Sequence, residues 1–443
     1  MMSKIDRRDF LRVSAGLAAG AATGLPLLAS AQTKTPAMAW KPETGAKLRV
    51  LRWKRFVQGD EDVWMQNTKK FSAATGVEVR VDNESWEDVR PKAAVAANVG
   101  SGPDIVLSTF DDANLYPEKL LDVTDLANYL GTKYGGWYDV CKQYLQPDGK
   151  RWIGLPLGCA GNTFVYRESH MKEAGFSTFP KDMPGFLKLC QALKAKGHPV
   201  GFTLGNATGD GNTWTHWLVW SFGGKLVDEK NNVVIASPQT IQALEYAREL
   251  YQTFVPGTLS WLDPNNNKAF LDDQISITEN GISIYYSAKT SQDPKVKAMA
   301  ADIGHANLPV GPVGKPTELH LFFNQMIFKY TKYPNAAKEY LRFMMEKEQY
   351  EPWQKAAIGY VTHPLKAYES NPIWTEDPKH TPYRDCMKIM LPNGYSGKMG
   401  YASAQCMADF IVVNMVAEAA SGSKTPKEAA ERAQKRAERY YKV

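Results

Sequence analysis

Four groups of residues carry side chains able to do chemistry. Two are pairs of adjacent carboxylates, Asp111-Asp112 and Asp272-Asp273, and one is a pair of adjacent tyrosines, Tyr285-Tyr286. The fourth is a polar, glycine-rich loop, Gly205 to Asn212, opening the aromatic run Thr213-Trp214-Thr215-His216-Trp217-Leu218-Val219-Trp220. Glycoside cleavage needs two carboxylates facing each other across the bond, roughly 5 to 9.5 Å apart. Here both members of each pair are chain neighbours. There is no nucleophile elbow and no His-Glu-x-x-His, and the loop lacks both the Gly-Lys-Ser/Thr ending of a phosphate cradle and GxGxxG spacing. A secreted hydrolase is therefore the weakest reading. A ferric-ion binder stands second, because Tyr285-Tyr286 would supply phenolates but needs a further His or carboxylate at the same place. Capture of a carbohydrate or other polyol stands first. A carboxylate accepts from two hydroxyls at once, and 12 Trp and 21 Tyr offer flat walls for an apolar ring face.

The elements that must position these groups follow from periodicity. Lys47 to Trp53 alternates as a strand, and Asp60 to Thr75 spaces Val63, Trp64, Asn67, Phe71 and Ala74 as a helix that Gly76 ends. Val77–Val81 is a second strand, Trp86–Asn98 a second helix and Pro103–Leu107 a third strand. This βαβαβ order predicts an open, largely parallel sheet with ligand crevices beyond the carboxyl ends of its strands. Trp53 to Phe56, Asp82 to Trp86 and Ser108 to Asp112 lie at such ends, making Trp53, Glu84, Trp86 and Asp111 candidates; Asp112 reads as solvated surface. Trp152 to Tyr166 reads as strand, break, strand. Interrupted by Pro156, Gly158 and Gly161, it suits a chain passing from one domain into another beside a cleft, where Asn162 would sit.

Met1–Ala31 reads as a targeting segment: Arg7-Arg8, an uncharged Leu17–Leu28 stretch and the small residues Ala29-Ser30-Ala31. Asp6-Arg7-Arg8-Asp9-Phe10-Leu11-Arg12 resembles a twin-arginine export signal, with Asp6 where Ser or Thr is usual. No Cys follows, so release into the periplasm is expected, not a lipid anchor. Residues 32–46 read as a flexible leader. The roughly 410 residues beyond the signal exceed what one core usually organises, so two domains are expected. Net charge is +6, of which the signal supplies two (Lys4, Arg7, Arg8 and Arg12 against Asp6 and Asp9). Nucleic acid is an unfavoured partner, and no run has transmembrane length. The five cysteines, Cys141, Cys159, Cys190, Cys386 and Cys406, show no metal spacing and read mostly as buried small residues.

A set of weak motifs occurs in one order along the chain. Lys69-Lys70-Phe71 to Thr75-Gly76, Gly100-Ser101-Gly102 before Pro103-Asp104-Ile105-Val106, and Gly149-Lys150 through Leu155-Pro156 to Tyr166 come first. Ala269-Phe270-Leu271 to Thr278-Glu279-Asn280-Gly281, Pro334 to Phe343, and Ala419 to Ala430 follow. Together they resemble the extracellular solute-binding proteins of sugar ABC importers, the maltose-binding type. The resemblance implies an α/β, two-lobe periplasmic-binding fold with three hinge crossings, near Pro156–Asn162, His305–Val310 and Phe343–Glu348. Lobe one would take 47–157 and 309–346, and lobe two 158–308 and 347–443. It implies a monomer without cofactor or catalytic residue, closing on a small ligand and delivering it to ABC transporter membrane permease subunits. Its site positions make Asn212, Thr213 and Trp214 lining candidates in the glycine-rich loop, and Asp111 stands where a ligand carboxylate is usual. Helical spacing makes Trp217 and Trp220 core; Asn280 and one of Tyr285 and Tyr286, here Tyr286, follow the second-lobe strand, and His320 at the start of a returning strand is a compensating polar contact. Ser108, Ala160 and Ser283 replace the type's Trp, Glu and Trp, so the ligand is held differently.

Overall fold

The computed structural model describes residues 38–442. The signal at 1–31 and the first part of the leader lie outside the described residues. Among the described residues eight strands form two sheets: β1 (Lys47–Trp53), β2 (Glu78–Glu84), β3 (Ile105–Thr109), β4 (Leu155–Ala160), β5 (Thr163–Arg167), β6 (Ile277–Asn280), β7 (Ile303–Ala306) and β8 (Leu321–Ile327). The first sheet has the order β2-β1-β3-β8-β4. β1 runs parallel to β2 and β3, as the βαβαβ pattern requires, joined through the helices Gln58–Thr75 and Trp86–Val99. β8 enters antiparallel between β3 and β4, so four of the five strands run one way and β8 alone opposes them. The second sheet, β6-β5-β7, is antiparallel throughout.

Two apolar clusters form, the first spanning the first sheet and reaching Val165 and Ile303 of the second, the other lying on the second sheet's opposite face. Val50, Ile105, Phe323, Trp64 and Tyr340 belong to one, and Phe164, Phe186, Trp217, Leu244 and Val416 to the other. Phe164 stacks on Phe186 with centroids 4.5 Å apart, and both strongly buried rings also meet Trp217 edge-on. Two cores of this size fit a chain too long for one.

The chain passes from the first sheet to the second between β4 and β5, through Gly161 and Asn162 alone. A bulge between Pro156 and Gly158 bends β4 first. Gly158 sits at φ 137, and a Cβ there would lie 2.2 Å from the Thr362 carbonyl oxygen, so only glycine fits. The helix Lys347–Ala356, assigned from sequence to the second lobe, packs instead on Gln58–Thr75. Its Trp353 Nε1 donates to Asp60 Oδ1 at 2.9 Å. Tyr285 and Tyr286 lie on a helix, Ser283–Thr290, not on a strand. All five cysteines are buried and free.

Candidate ligand site

A small cavity opens where the two sheets meet. The pairing of Ala160 with Leu321 ends one sheet there, and the pairing of Thr163 with Asn280 begins the other. Asn162 lies between them. One side of the cavity is aromatic: Phe56 from the loop after β1, Trp86 from the start of its helix, and Tyr360. Phe56 and Trp86 meet edge-to-face at 5.7 Å. The other side is polar, built by Asp210, Asp263, Asn267, Asn280 and Ser283. The volume is about 20 Å³, room for a single water.

The polar side is a buried network. The Asp263 carboxylate caps the helix Asp210–Ser221, Oδ2 accepting from Gly209 N at 2.9 Å and Oδ1 from Asp210 N at 2.8 Å. The free N–H groups of that helix start, which sequence offers to a ligand, are thus already taken by the protein's own anion. Asp210 accepts from the side-chain amides of Asn162 (3.0 Å), Asn266 (2.7 Å) and Asn280 (3.1 Å). Glu279 Oε2 accepts from Asn162 Nδ2 at 3.1 Å, while Oε1 is buried without a partner, as is Asn162 Oδ1. Burial, then repulsion from Asp263, holds Asp210 well above the usual carboxylate range. Burial, then repulsion from Asp210, does the same to Glu279. Burial lifts Asp263 to about 6 against the pull of its two N–H donors.

Of the candidates read from sequence, Trp86, Asn162 and Asn280 line this cavity. His320 supports it from behind: its Nδ1 accepts from Asn162 N at 3.1 Å, and its Nε2 lies 3.1 Å from Glu318 Oε2. Tyr286 reaches across from the second sheet's side, its hydroxyl accepting from Gly59 N at 3.1 Å. The rest are elsewhere. Trp53 is wholly buried, its face stacked on Phe323 at 4.6 Å and its Nε1 directed to Asp60, because the strand end turns under the first helix instead of into solvent. Trp214 is core, donating to the Thr203 carbonyl at 2.6 Å and packed on Phe202 and Phe254. Asn212 donates back to the Thr208 carbonyl within its own helix turn. Glu84 pairs with Lys92 on the surface side. Asp111 is buried under Ser403. Asp112, read as solvated, is 1% exposed and held by Arg90 and Ser108, at 2.7 and 2.5 Å.

The sequence reading passed over Asp210, Asp263 and Glu279. Asp263-Pro264 opening a helix and a Glu between Thr278 and Asn280 in a strand beginning at Ile277 were the available signals, since a charged residue inside so short a buried strand needs partners. A larger, open groove of about 680 Å³ lies between the helix Asp139–Leu145 and the segment Met387–Met399. It is lined by Tyr138, Met390, Tyr395 and Lys398 among others, without convergent carboxylates. The smaller cavity is the better site because buried polar atoms without partners converge on it. Tyr285 and Tyr286 bind Asp377 and Gly59 separately, and among the described residues no group of three or more His, Cys, Asp or Glu could hold a metal ion.

A cavity at the crossing between two α/β bodies, one wall from each, is the arrangement of a hinged binding protein. Residues 66–382 match the family of bacterial extracellular solute-binding proteins, and the chain belongs to that family. Residues 4–24 match the twin-arginine translocation signal, so the protein is exported to the periplasm; no helix among the described residues is long and apolar enough to cross a membrane. A probable ABC transporter-binding protein of Deinococcus radiodurans is 24% identical over 44% of this chain, which spans about half (48%) of that relative's length. The diacetylchitobiose binding protein DasA of Streptomyces coelicolor is 23% identical over 70% of this chain and 72% of its own. An ABC transporter solute-binding protein from Agrobacterium radiobacter K84, solved with ribitol, superimposes with a TM-score of 0.74 at 17% identity, covering 90% of this chain and 100% of the other. That likeness fixes the two-lobe α/β fold.

Proposed function

We propose that this protein captures a carbohydrate or related polyol between its two lobes and hands it to the permease subunits of an ABC importer, without turnover. The observation that carries this reading is the cavity itself. Aromatic faces from one sheet oppose hydrogen-bond acceptors from the other, the pairing a ring with many hydroxyls requires. Ligand pockets generally measure about 300–1,000 Å³, far above the present volume, so the ligand enters an opened form and the lobes then close on it. We place two crossings at Gly161-Asn162 and between β7 and β8 and the third beyond the helix Lys347–Ala356, before the C-terminal helices join the second core, with the signal removed after Ala31 and the mature chain monomeric. The relatives that bind diacetylchitobiose and ribitol support the ligand class.

Thermal melting of residues 32–443 against mono-, di- and oligosaccharides and polyols tests this. A ligand of the folded state at a hundredfold excess over Kd adds about 2.7 kcal/mol, a clear rise in Tm. A flat response to every sugar and polyol counts against the reading.

A further inference from the structure

We propose that the solute carries a positive charge: an amine-bearing polyol such as an amino sugar or amino alcohol, its ammonium seated between Asp210 and the aromatic wall. This rests on the cavity being the ligand site and narrows the class of ligand it takes.

The charge balance of the cavity is the starting point. Asp210, Asp263 and Glu279 are each at least nine-tenths buried. Among the described residues no Lys, Arg or His side chain pairs with any of them. The buried arginines of the first sheet's side are engaged elsewhere, Arg52 with Asp60 at 2.5 Å and Arg342 with Glu339 and Glu346 at 2.6 Å, and half-buried Arg90 holds Asp112 at 2.7 Å. His320 faces Glu318. A buried carboxylate without a compensating cation is strongly unfavourable, and three together are more so. Lobe closure on a neutral solute leaves that charge in place or loads it with protons; closure on an ammonium compensates it.

The donors and acceptors point the same way. Every side-chain amide N–H₂ around Asp210 is already donating to a protein oxygen: Asn162 to Asp210 and Glu279, Asn266 to Asp210, Asn280 to Asp210 and Asn267. Left without a partner on the lining are the acceptor Asn162 Oδ1, on a side chain 1% exposed, and the donor Trp86 Nε1, with Glu279 Oε1 a further unpartnered acceptor in the same network. Carboxylate and amide acceptors outnumber that one indole donor, so the site calls for a ligand rich in donors. The facing wall of Phe56, Trp86 and Tyr360 completes the environment, since aromatic faces attract a cation and do so more strongly when it is desolvated. Burial, with repulsion from Asp263 on Asp210 and from Asp210 on Glu279, raises both carboxyls, so without a cation these groups are driven to take up protons.

The experiment compares matched pairs at pH 7.5 on the mature chain, by thermal shift and calorimetry: D-glucosamine with D-glucose, N-methyl-D-glucamine with D-sorbitol, and choline with 3,3-dimethylbutan-1-ol. The expected result is at least a tenfold tighter Kd for the cation of one pair, a preference that falls on raising salt and that Asp210→Asn and Glu279→Gln each reduce. Glu279→Gln keeps the test decisive if Asp210→Asn fails to fold. Equal or tighter binding of the neutral members overturns the cationic ligand while leaving the polyol reading intact. Silence from all six compounds, with neutral oligosaccharides of the wider panel active, also overturns it; silence from every compound removes both readings.

Discussion

Ser403 Oγ donates a 2.6 Å hydrogen bond to Asp111 Oδ2, tying the helix Tyr401–Ala408 to the turn that follows β3. Phe110, at φ 44, makes that turn and aims the carboxylate inward. The position that the maltose-binding type gives to a ligand carboxylate is thus used here to fasten two parts of the chain together. Asp111 is fully buried, and burial lifts its carboxyl to about 6 in spite of Ser403.

That shift sets a pH dependence whose sign is fixed. The unfolded carboxyl titrates near ~3.9 and the folded one near 6, so between these values the native state binds more protons than the unfolded state. Stability therefore falls as pH rises through that window, and above it a constant penalty of about 3 kcal/mol remains. Asp111→Asn is expected to flatten this part of the profile and to be the more stable protein at pH 7, its side-chain carbonyl still accepting from Ser403. Urea unfolding of both proteins between pH 4 and 7 reads the difference; parallel profiles would show that Asp111 does not titrate in the window.

Trp214→Ala is a core deletion. The indole is buried against Phe202 and Phe254 and its N–H is bonded to Thr203, so truncation is expected to cost about 3–5 kcal/mol. Ligand affinity of the folded fraction should stay within about twofold of the parent, since the side chain does not line the cavity. Denaturant titration paired with calorimetry checks this, and a large loss of affinity at unchanged stability would return Trp214 to the site.

Much of the architecture was legible because local pattern and global fold agree. The β1–β3 crossovers follow from alternation, helical spacing and the glycine after Thr75, and the Pro156–Gly161 interruptions mark the crossing to the second sheet. The antiparallel insertion of β8 was not legible, since a strand arriving more than 200 residues after β3 leaves no local mark of its direction. The site divided along similar lines. Trp86, Asn162 and Asn280 sit where strand ends put them. Asp210, Asp263 and Glu279 come from three distant segments, and only the packing of a helix start against a strand end makes them neighbours. Trp53 and Trp214 show the opposite error: an aromatic near a predicted loop is as readily core when an adjoining helix covers it.

Gly158→Ala tests the bend before the crossing. A methyl group there meets the Thr362 carbonyl at 2.2 Å from a backbone held at φ 137, so both contact and conformation oppose it. The expected outcome is a loss of several kcal/mol, about 3 or more, or failure to accumulate as folded protein. A mutant melting within a degree or two of the parent would mean that β4 can straighten without harm.

Tyr286→Phe removes the acceptor for Gly59 N across the cleft. An unsatisfied N–H costs about 1–3 kcal/mol if it stays buried, whereas parting of the lobes lets water reach it. The ligand-free variant should therefore populate the open form about fivefold or more over the parent. A larger radius of gyration by small-angle scattering would report this, and identical scattering curves would count against a role for Tyr286 in closure.

Asn162 has one further consequence. Its backbone N–H belongs to His320 on the first sheet's side, while its side-chain amide belongs to Asp210 and Glu279 on the second. With Gly161 as the other residue of the crossing, any rotation of the sheets about this point bears on both attachments at once. The same amide is a wall of the cavity, so its hydrogen bonds register both how far the joint has turned and whether the pocket is filled. Turning of the joint and filling of the pocket are thus coupled through a single side chain.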